Sequence, residues 1–211
     1  MRPALAIACV LALSLFRPAV ADPTASRNNE GNKLYNQKQY DEALRMYTDA
    51  QASRPEAPEL HYNIGNVLFR KKEYDKAIEE YMRAQAAPDR GLSQAATFNR
   101  GNALLMQGKP EEAIQAYVQS LRARPDDADA KRNLELALRL LQEKKKKQQQ
   151  QPQQNKDQKN QPPQQSPQQE GAGDKTPPQK RPGEMTEQEA RQVLQALQQE
   201  EKEGIKKHAR A

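Results

Sequence analysis

A four-residue signature that returns at nearly fixed intervals constrains this chain more than any other feature. Asn29-Glu30-Gly31-Asn32 recurs as Asn63-Ile64-Gly65-Asn66 after 34 residues, and as Asn99-Arg100-Gly101-Asn102 after 36 more. Other positions keep the same register. Twelve residues after each glycine stands a small residue (Ala43, Ala77, Ala113), four further on a tyrosine (Tyr47, Tyr81, Tyr117), and three beyond that a second small residue (Ala50, Ala84, Ser120). Glycine inside a helix costs about 1 kcal/mol relative to alanine. A glycine that recurs in register within a helical pattern therefore points to a close backbone approach. An ordinary helical bundle does not repeat its turn chemistry and its small residues together.

Turn signals divide each repeat into two helices. Tyr40-Asp41 and Tyr74-Asp75 open the second helix in the first two copies, and Gly108-Lys109-Pro110 does so in the third; glycine past a helix end and proline at a helix start are the expected asymmetry. Pro55 and Pro125 close two copies in register, and Pro88 lies near the end of the middle one. The two extra residues of the longer interval fall at Asp89-Arg90-Gly91 and predict a longer inter-repeat turn. This combination resembles the tetratricopeptide repeat (TPR), a helix-turn-helix unit of about 34 residues. The resemblance implies an all-α, α-α superhelix over residues 22–147, with repeats at about 24–57, 58–93 and 94–127. A capping helix is expected over 128–147. Asp126 or Asp127 caps it, Ala130, Leu134, Leu138 and Leu141 share one face, and Lys144 to Lys147 favour its carboxyl end. A solenoid needs such a helix because its last repeat otherwise exposes an apolar side.

The flanks are different material. Met1-Arg2, the apolar run Ala4 to Phe16 and Ala19-Val20-Ala21 have the layout of a secretory signal peptide over 1–21; an uncleaved amino-terminal anchor is the alternative. Cys9, the single cysteine, lies inside it, so the chain after residue 21 has no disulfide, no thiol nucleophile and no thiolate metal site. Residues 148–184 form a basic, Gln/Pro-rich stretch without apolar periodicity, expected to be a disordered linker: 12 of the 22 residues from Gln148 to Gln169 are glutamine. Charge is segregated accordingly. Residues 22–143 hold 18 Lys and Arg against 19 Asp and Glu, whereas 144–184 hold 9 against 4. The linker thus supplies most of the net charge of +6, which argues against a nucleic-acid face on the repeats. Lys144 to Lys147 invite weak contact with an anionic surface, or are simply a solvated helix end. In residues 185–211, Thr186-Glu187-Gln188-Glu189 has capping-box form, and Ala190, Val193, Leu194 and Leu197 form an apolar stripe too narrow to make a core alone. It is expected to dock on the repeats, on a copy of itself or on a partner.

Binding is expected in the concave groove that the first helix of each repeat lines in a TPR superhelix. The candidates are Asn32 and Tyr35; Tyr62, Asn63, Asn66, Phe69 and Arg70; and Phe98, Asn99 and Asn102. A carboxamide both donates and accepts, so recurring asparagines between aromatics suit the main chain of an extended peptide. Replacing Asn32 and Asn66 by alanine is expected to abolish capture and leave the fold intact. Asn32 and Asn63 are similar to the asparagines of the carboxylate-clamp TPR domains that hold chaperone C-termini. The basic positions of that motif fall here on Asn28, Ala95 and Asn99, which argues against reading a free carboxylate. No catalytic constellation, phosphate loop, metal-ligand cluster or cofactor motif is present in the sequence, and His61 and His208 lie far apart, so the chain reads as a binding protein and not an enzyme.

The order of segments adds a narrower resemblance. A signal peptide, three repeats, the stretch Asn99-Arg100-Gly101-Asn102-Ala103-Leu104, Asn133-Leu134-Glu135-Leu136-Ala137-Leu138, a Gln/Pro linker and the terminal helix from Met185 together resemble the TPR protein of the Bat aerotolerance operons. That resemblance implies a periplasmic scaffold working with membrane proteins that carry von Willebrand A domains, linked to stress tolerance. A co-chaperone-like adaptor gripping the tails of unfolded or secreted clients is the alternative.

Overall fold

The computed structural model describes residues 23–154 and 185–208. The expected signal peptide with Cys9, and residues 155–184 of the expected linker, lie outside these. Among the described residues the fold is entirely helical: α1 (Pro23–Asn36), α2 (Tyr40–Gln51), α3 (Pro58–Arg70), α4 (Tyr74–Ala84), α5 (Arg90–Met106), α6 (Pro110–Ala123), α7 (Ala128–Gln154) and α8 (Glu187–His208). The hairpins α1/α2, α3/α4 and α5/α6 stack in order, each second helix against the first helix of the next pair, and α7 stacks on α6 in the same way. No described helix is long and apolar enough to cross a membrane.

The recurring glycine has the packing role its register predicts. A Cβ built on Gly31 would lie 2.5 Å from the Tyr47 ring, one on Gly65 2.8 Å from Tyr81, and one on Gly101 2.7 Å from Tyr117. Each ring thus rests on bare backbone across its hairpin. The three tyrosines and Ala43, Ala50, Ala77, Ala84 and Ala113 are buried. Fully burying side chains of this size contributes about 1.5–3 kcal/mol each, which offsets the helix propensity lost at the glycines.

The turn inside each hairpin is reached by one residue in the left-handed region: Lys38 (φ 63°), Lys72 (φ 64°) and Gly108 (φ 72°). Behind it, Gln39, Glu73 and Lys109 donate backbone N–H bonds to Leu34, Leu68 and Leu104, closing the first helix of each pair.

Two boundaries differ from the sequence reading. The extra residues at Asp89-Arg90-Gly91 do not lengthen a turn. They lengthen α5, because Asp89 acts as N-cap, its Oδ1 accepting from Leu92 N–H at 2.8 Å, and the helix starts at Arg90. Helix α7 does not stop at Lys147 but runs to Gln154, since lysine and glutamine are good helix formers and no capping residue intervenes. Asp127 caps its start, its Oδ1 accepting from Ala130 N–H at 2.9 Å.

Helix α8 returns to the solenoid and lies on α6 and α7. Ala190 and Leu194 join the core cluster formed by Tyr117, Leu121, Leu134 and Leu138, with Met185, Val193 and Leu197 packed against it. Its capping box is formed: Thr186 N–H donates to Glu189 Oε2 at 2.7 Å, and Glu189 N–H to Thr186 Oγ1 at 3.1 Å.

Candidate functional site: an asparagine-lined groove

Each repeat places one asparagine immediately after its glycine, on the side of the first helix that meets the buried tyrosine. The tyrosine hydroxyls donate to these side chains across every hairpin: Tyr47 to Asn32 Oδ1 at 2.7 Å, Tyr81 to Asn66 Oδ1 at 2.8 Å, and Tyr117 to Asn102 Oδ1 at 2.8 Å. A second set of bonds runs between repeats. Asn63 donates to Asn28 Oδ1 at 2.9 Å, Asn99 to Asn66 Oδ1 at 3.0 Å, and Asn133 to Asn102 Oδ1 at 2.8 Å. The result is a ladder of carboxamides along the first helices.

Burial raises the pKa of all three ladder tyrosines: Tyr47 is pushed up to about 12, and Tyr81 and Tyr117 are also raised. They stay neutral donors at any physiological pH.

The ladder lines two neighbouring open cavities. One, about 350 Å³, is bounded by Asn32, Tyr35, Asn36, Tyr47, Asn63 and Asn66. The next, about 200 Å³, shares Tyr35 and Asn66 and adds Phe69, Arg70, Tyr81, Asn99 and Asn102. The structure therefore brings together eight of the ten sequence candidates. Tyr62 and Phe98 do not line either cavity. Their rings pack on Tyr81 and Tyr117, at centroid distances of 6.1 Å and 5.9 Å, and the Tyr62 hydroxyl also accepts from Asn99 at 3.2 Å.

Tyr47 and Tyr81 were not among the sequence candidates for the groove. Each is core through its ring and groove through its hydroxyl, and the constant 15-residue step from Asn to Tyr was the available signal. Tyr40 was also missed: the Arg70 guanidinium sits 5.3 Å from the centre of its ring.

What the groove offers a ligand follows from which donors are already used. Asn32 and Asn66 spend their carbonyl oxygens on tyrosines, while their amide N–H groups have no partner among the described residues. Both asparagines thus present donors of the kind a peptide carbonyl accepts. Arg70 supplies one cation. Asn28, Ala95 and Asn99 supply none, so no ring of positive charge surrounds a carboxylate. The same bonds give alanine at Asn32 and Asn66 a structural cost: each truncation removes the acceptor of a tyrosine hydroxyl, at about 1–3 kcal/mol.

Away from the groove, His61 is buried, with Nδ1 2.6 Å from Glu80 Oε2 and 3.1 Å from Gln51 Nε2. Of the four lysines singled out for anionic surfaces, Lys144 pairs with Glu111 and Lys145 with Glu187. Among the described residues no group of three or more His, Cys, Asp or Glu is placed to hold a metal.

Stacked helical hairpins with open cavities along their first helices define a repeat-solenoid module. Comparison with known families gives that module its class: residues 28–91 and 95–127 match models described as tetratricopeptide repeat. The fold is thus a TPR superhelix. Similar solved structures include the first TPR of Spaghetti (RPAP3) bound to the HSP90 peptide SRMEEVD, at 28% identity and TM-score 0.54, covering 56% of this chain and 93% of that one. The first TPR domain of human RPAP3 is alike at 28% identity and TM-score 0.54, covering 58% and 95%. The TPR2AB domain of yeast Sti1, in a complex with pHSP90, is similar at 25% identity and TM-score 0.52, covering 58% and 48%. No curated protein matches the chain in sequence.

Proposed function

We propose that this protein is a non-enzymatic interaction scaffold of the cell envelope that holds an extended segment of a partner protein along the strip from Asn32 to Asn102. The observation that carries this reading is the pair of spare amide donors on Asn32 and Asn66, set in adjoining cavities beside Arg70. Each peptide hydrogen bond nets about 1 kcal/mol, so a site built mainly from these binds at roughly micromolar affinity. The envelope location and the partners, membrane proteins with von Willebrand A domains acting in stress tolerance, come from the signal-peptide layout and the order of segments described above.

A second reading, a co-chaperone-like adaptor, is favoured by the likeness to a TPR domain bound to an HSP90 tail peptide. The groove chemistry separates the two. A cation ring reads a terminal carboxylate, whereas spare amide donors read main-chain carbonyls anywhere along a segment. Cross-linked envelope fractions captured on the chain and on Arg70→Glu provide the test. Enrichment of von Willebrand A proteins, lost in the variant, supports the scaffold. A broad set of unfolded clients, with peptide binding lost when the peptide's C-terminus is amidated, supports the adaptor and defeats the first reading.

A further inference from the structure

Helix α7 keeps the register of the preceding first helices, and α8 lies across both α6 and α7. Asn133 lies 34 residues after Asn99 and makes the same ladder bond one repeat further on. Two residues beyond it, where the other copies have Gly31, Gly65 and Gly101, stands Glu135. On α8, Ala190, Leu194 and Leu197 keep the four- and three-residue steps of Ala43, Tyr47 and Ala50. Lys131 near the start of α7 pairs with Glu201 near the end of α8 at 2.8 Å, and Lys145 pairs with Glu187 at 2.6 Å. Helix α8 therefore runs antiparallel to α7, as the second helix of a repeat should.

The fit is looser than in the true repeats. Glu135 stands exposed where the true repeats have the glycine on which a tyrosine ring rests, and leucine takes the place of that tyrosine. An open cavity of about 270 Å³ remains along the seam, lined by Leu138, Arg139, Gln142, Leu194, Gln195 and Gln198. Only Ala190 and Leu194 of α8 are buried among the described residues. The helix is joined to α7 through residues 155–184, and a chain of that length reaches up to about 100 Å.

We propose that α8 is exchanged between two copies of this chain, each copy's α8 seating on the α6–α7 seam of the other. Every contact α8 makes within one chain is remade unchanged between two, so exchange forfeits no packing and costs only the association of the chains. The seam also selects for this helix. Lys131 and Lys145 are spaced 14 residues apart, as are Glu187 and Glu201, so both ends match at once in the antiparallel sense. At low concentration the tethered helix wins through proximity. The exchanged dimer grows as the chain approaches the tether's effective concentration, on the order of millimolar.

Charge reversal tests this with the full chain. One variant carries Lys131→Glu and Lys145→Glu, and the other Glu187→Lys and Glu201→Lys. Each alone sets like charges against each other at both ends of the seam, within one chain and between copies. Mixed, both seams of the exchanged dimer regain opposite charges. By native mass spectrometry at equal concentration, the mixture should hold at least about tenfold more 1:1 heterodimer than either variant alone forms homodimer. A mixture no more dimeric than its components overturns the proposal. Heavy- and light-isotope wild-type chains, equilibrated together at about 1 mM, should form mixed-mass dimers. Finding monomers alone there overturns it without recourse to any variant.

Discussion

Replacing Gly65 by alanine puts a methyl carbon 2.8 Å from two atoms of the Tyr81 ring. Alanine is the better helix former by about 1 kcal/mol, yet overpacking of this kind typically costs about 1–3 kcal/mol, and the ring has a part-buried hydroxyl bond to keep. Gly65→Ala is therefore expected to lower the urea midpoint. Gly204 on α8 has nothing within 4 Å of the same added carbon, so Gly204→Ala should raise amide protection along α8, by about 0.5–1 kcal/mol. Lys72 occupies the left-handed position that Gly108 fills in the third hairpin; Lys72→Gly should stabilise by up to about 1 kcal/mol. The turns themselves were legible, but the left-handed residues Lys38 and Lys72 within them were not, because only a glycine announces positive φ. The ladder tyrosines were legible as core from their spacing, whereas their hydroxyl bonds depend on a contact between two helices that neither helix states alone. Burial raises the pKa of Tyr47, Tyr81 and Tyr117, so the folded state retains protons that the unfolded state releases above pH about 10. Stability is fully present below that pH and is lost as pH rises through the folded values. Tyrosinate absorbance should show these three titrating only as the chain unfolds.

The outcomes for the helices differ according to how local their signals are. Helices α1 to α6 follow from glycine, alanine and tyrosine in register, and a cap for α7 at Asp126 or Asp127 was visible in advance, the structure placing it at Asp127. Neither α8's destination nor the end of α7 was. A stripe of four apolar residues says that a helix needs a surface, and the surface here is assembled from α6 and α7. Glu187 is held below the usual carboxylate range chiefly by its hydrogen bond to Lys145, with Arg191 adding to it, and Glu201 is lowered by Lys131. Groups with a lowered folded pKa contribute stability above the unfolded value and lose it as pH falls through the folded one. Docking of α8 should therefore loosen below pH about 4 while α1 to α6 remain folded. Hydrogen exchange at low pH, resolved by peptide, reads this directly. Leu194→Glu should release α8 at neutral pH by removing its largest buried side chain, with the protection of α3 and α4 unchanged.

At the scale of the whole molecule, a short right-sized strip of carboxamides faces one way and a seam covered by α8 closes the far end. The groove was legible as a face because TPR geometry assigns it to the first helices. Which atoms remain free for a partner was not, since that depends on the tyrosine bonds that consume the asparagine oxygens. The central claim is that partners lie along this strip. Site-specific photo-cross-linking in envelope fractions tests it most directly, with a photoreactive side chain at Asn36 in the groove or at Met82, exposed on α4. The account predicts a discrete cross-linked partner from position 36, lost on adding Arg70→Glu, and none from position 82. The same partner captured equally from both positions, or from position 82 alone, would contradict it.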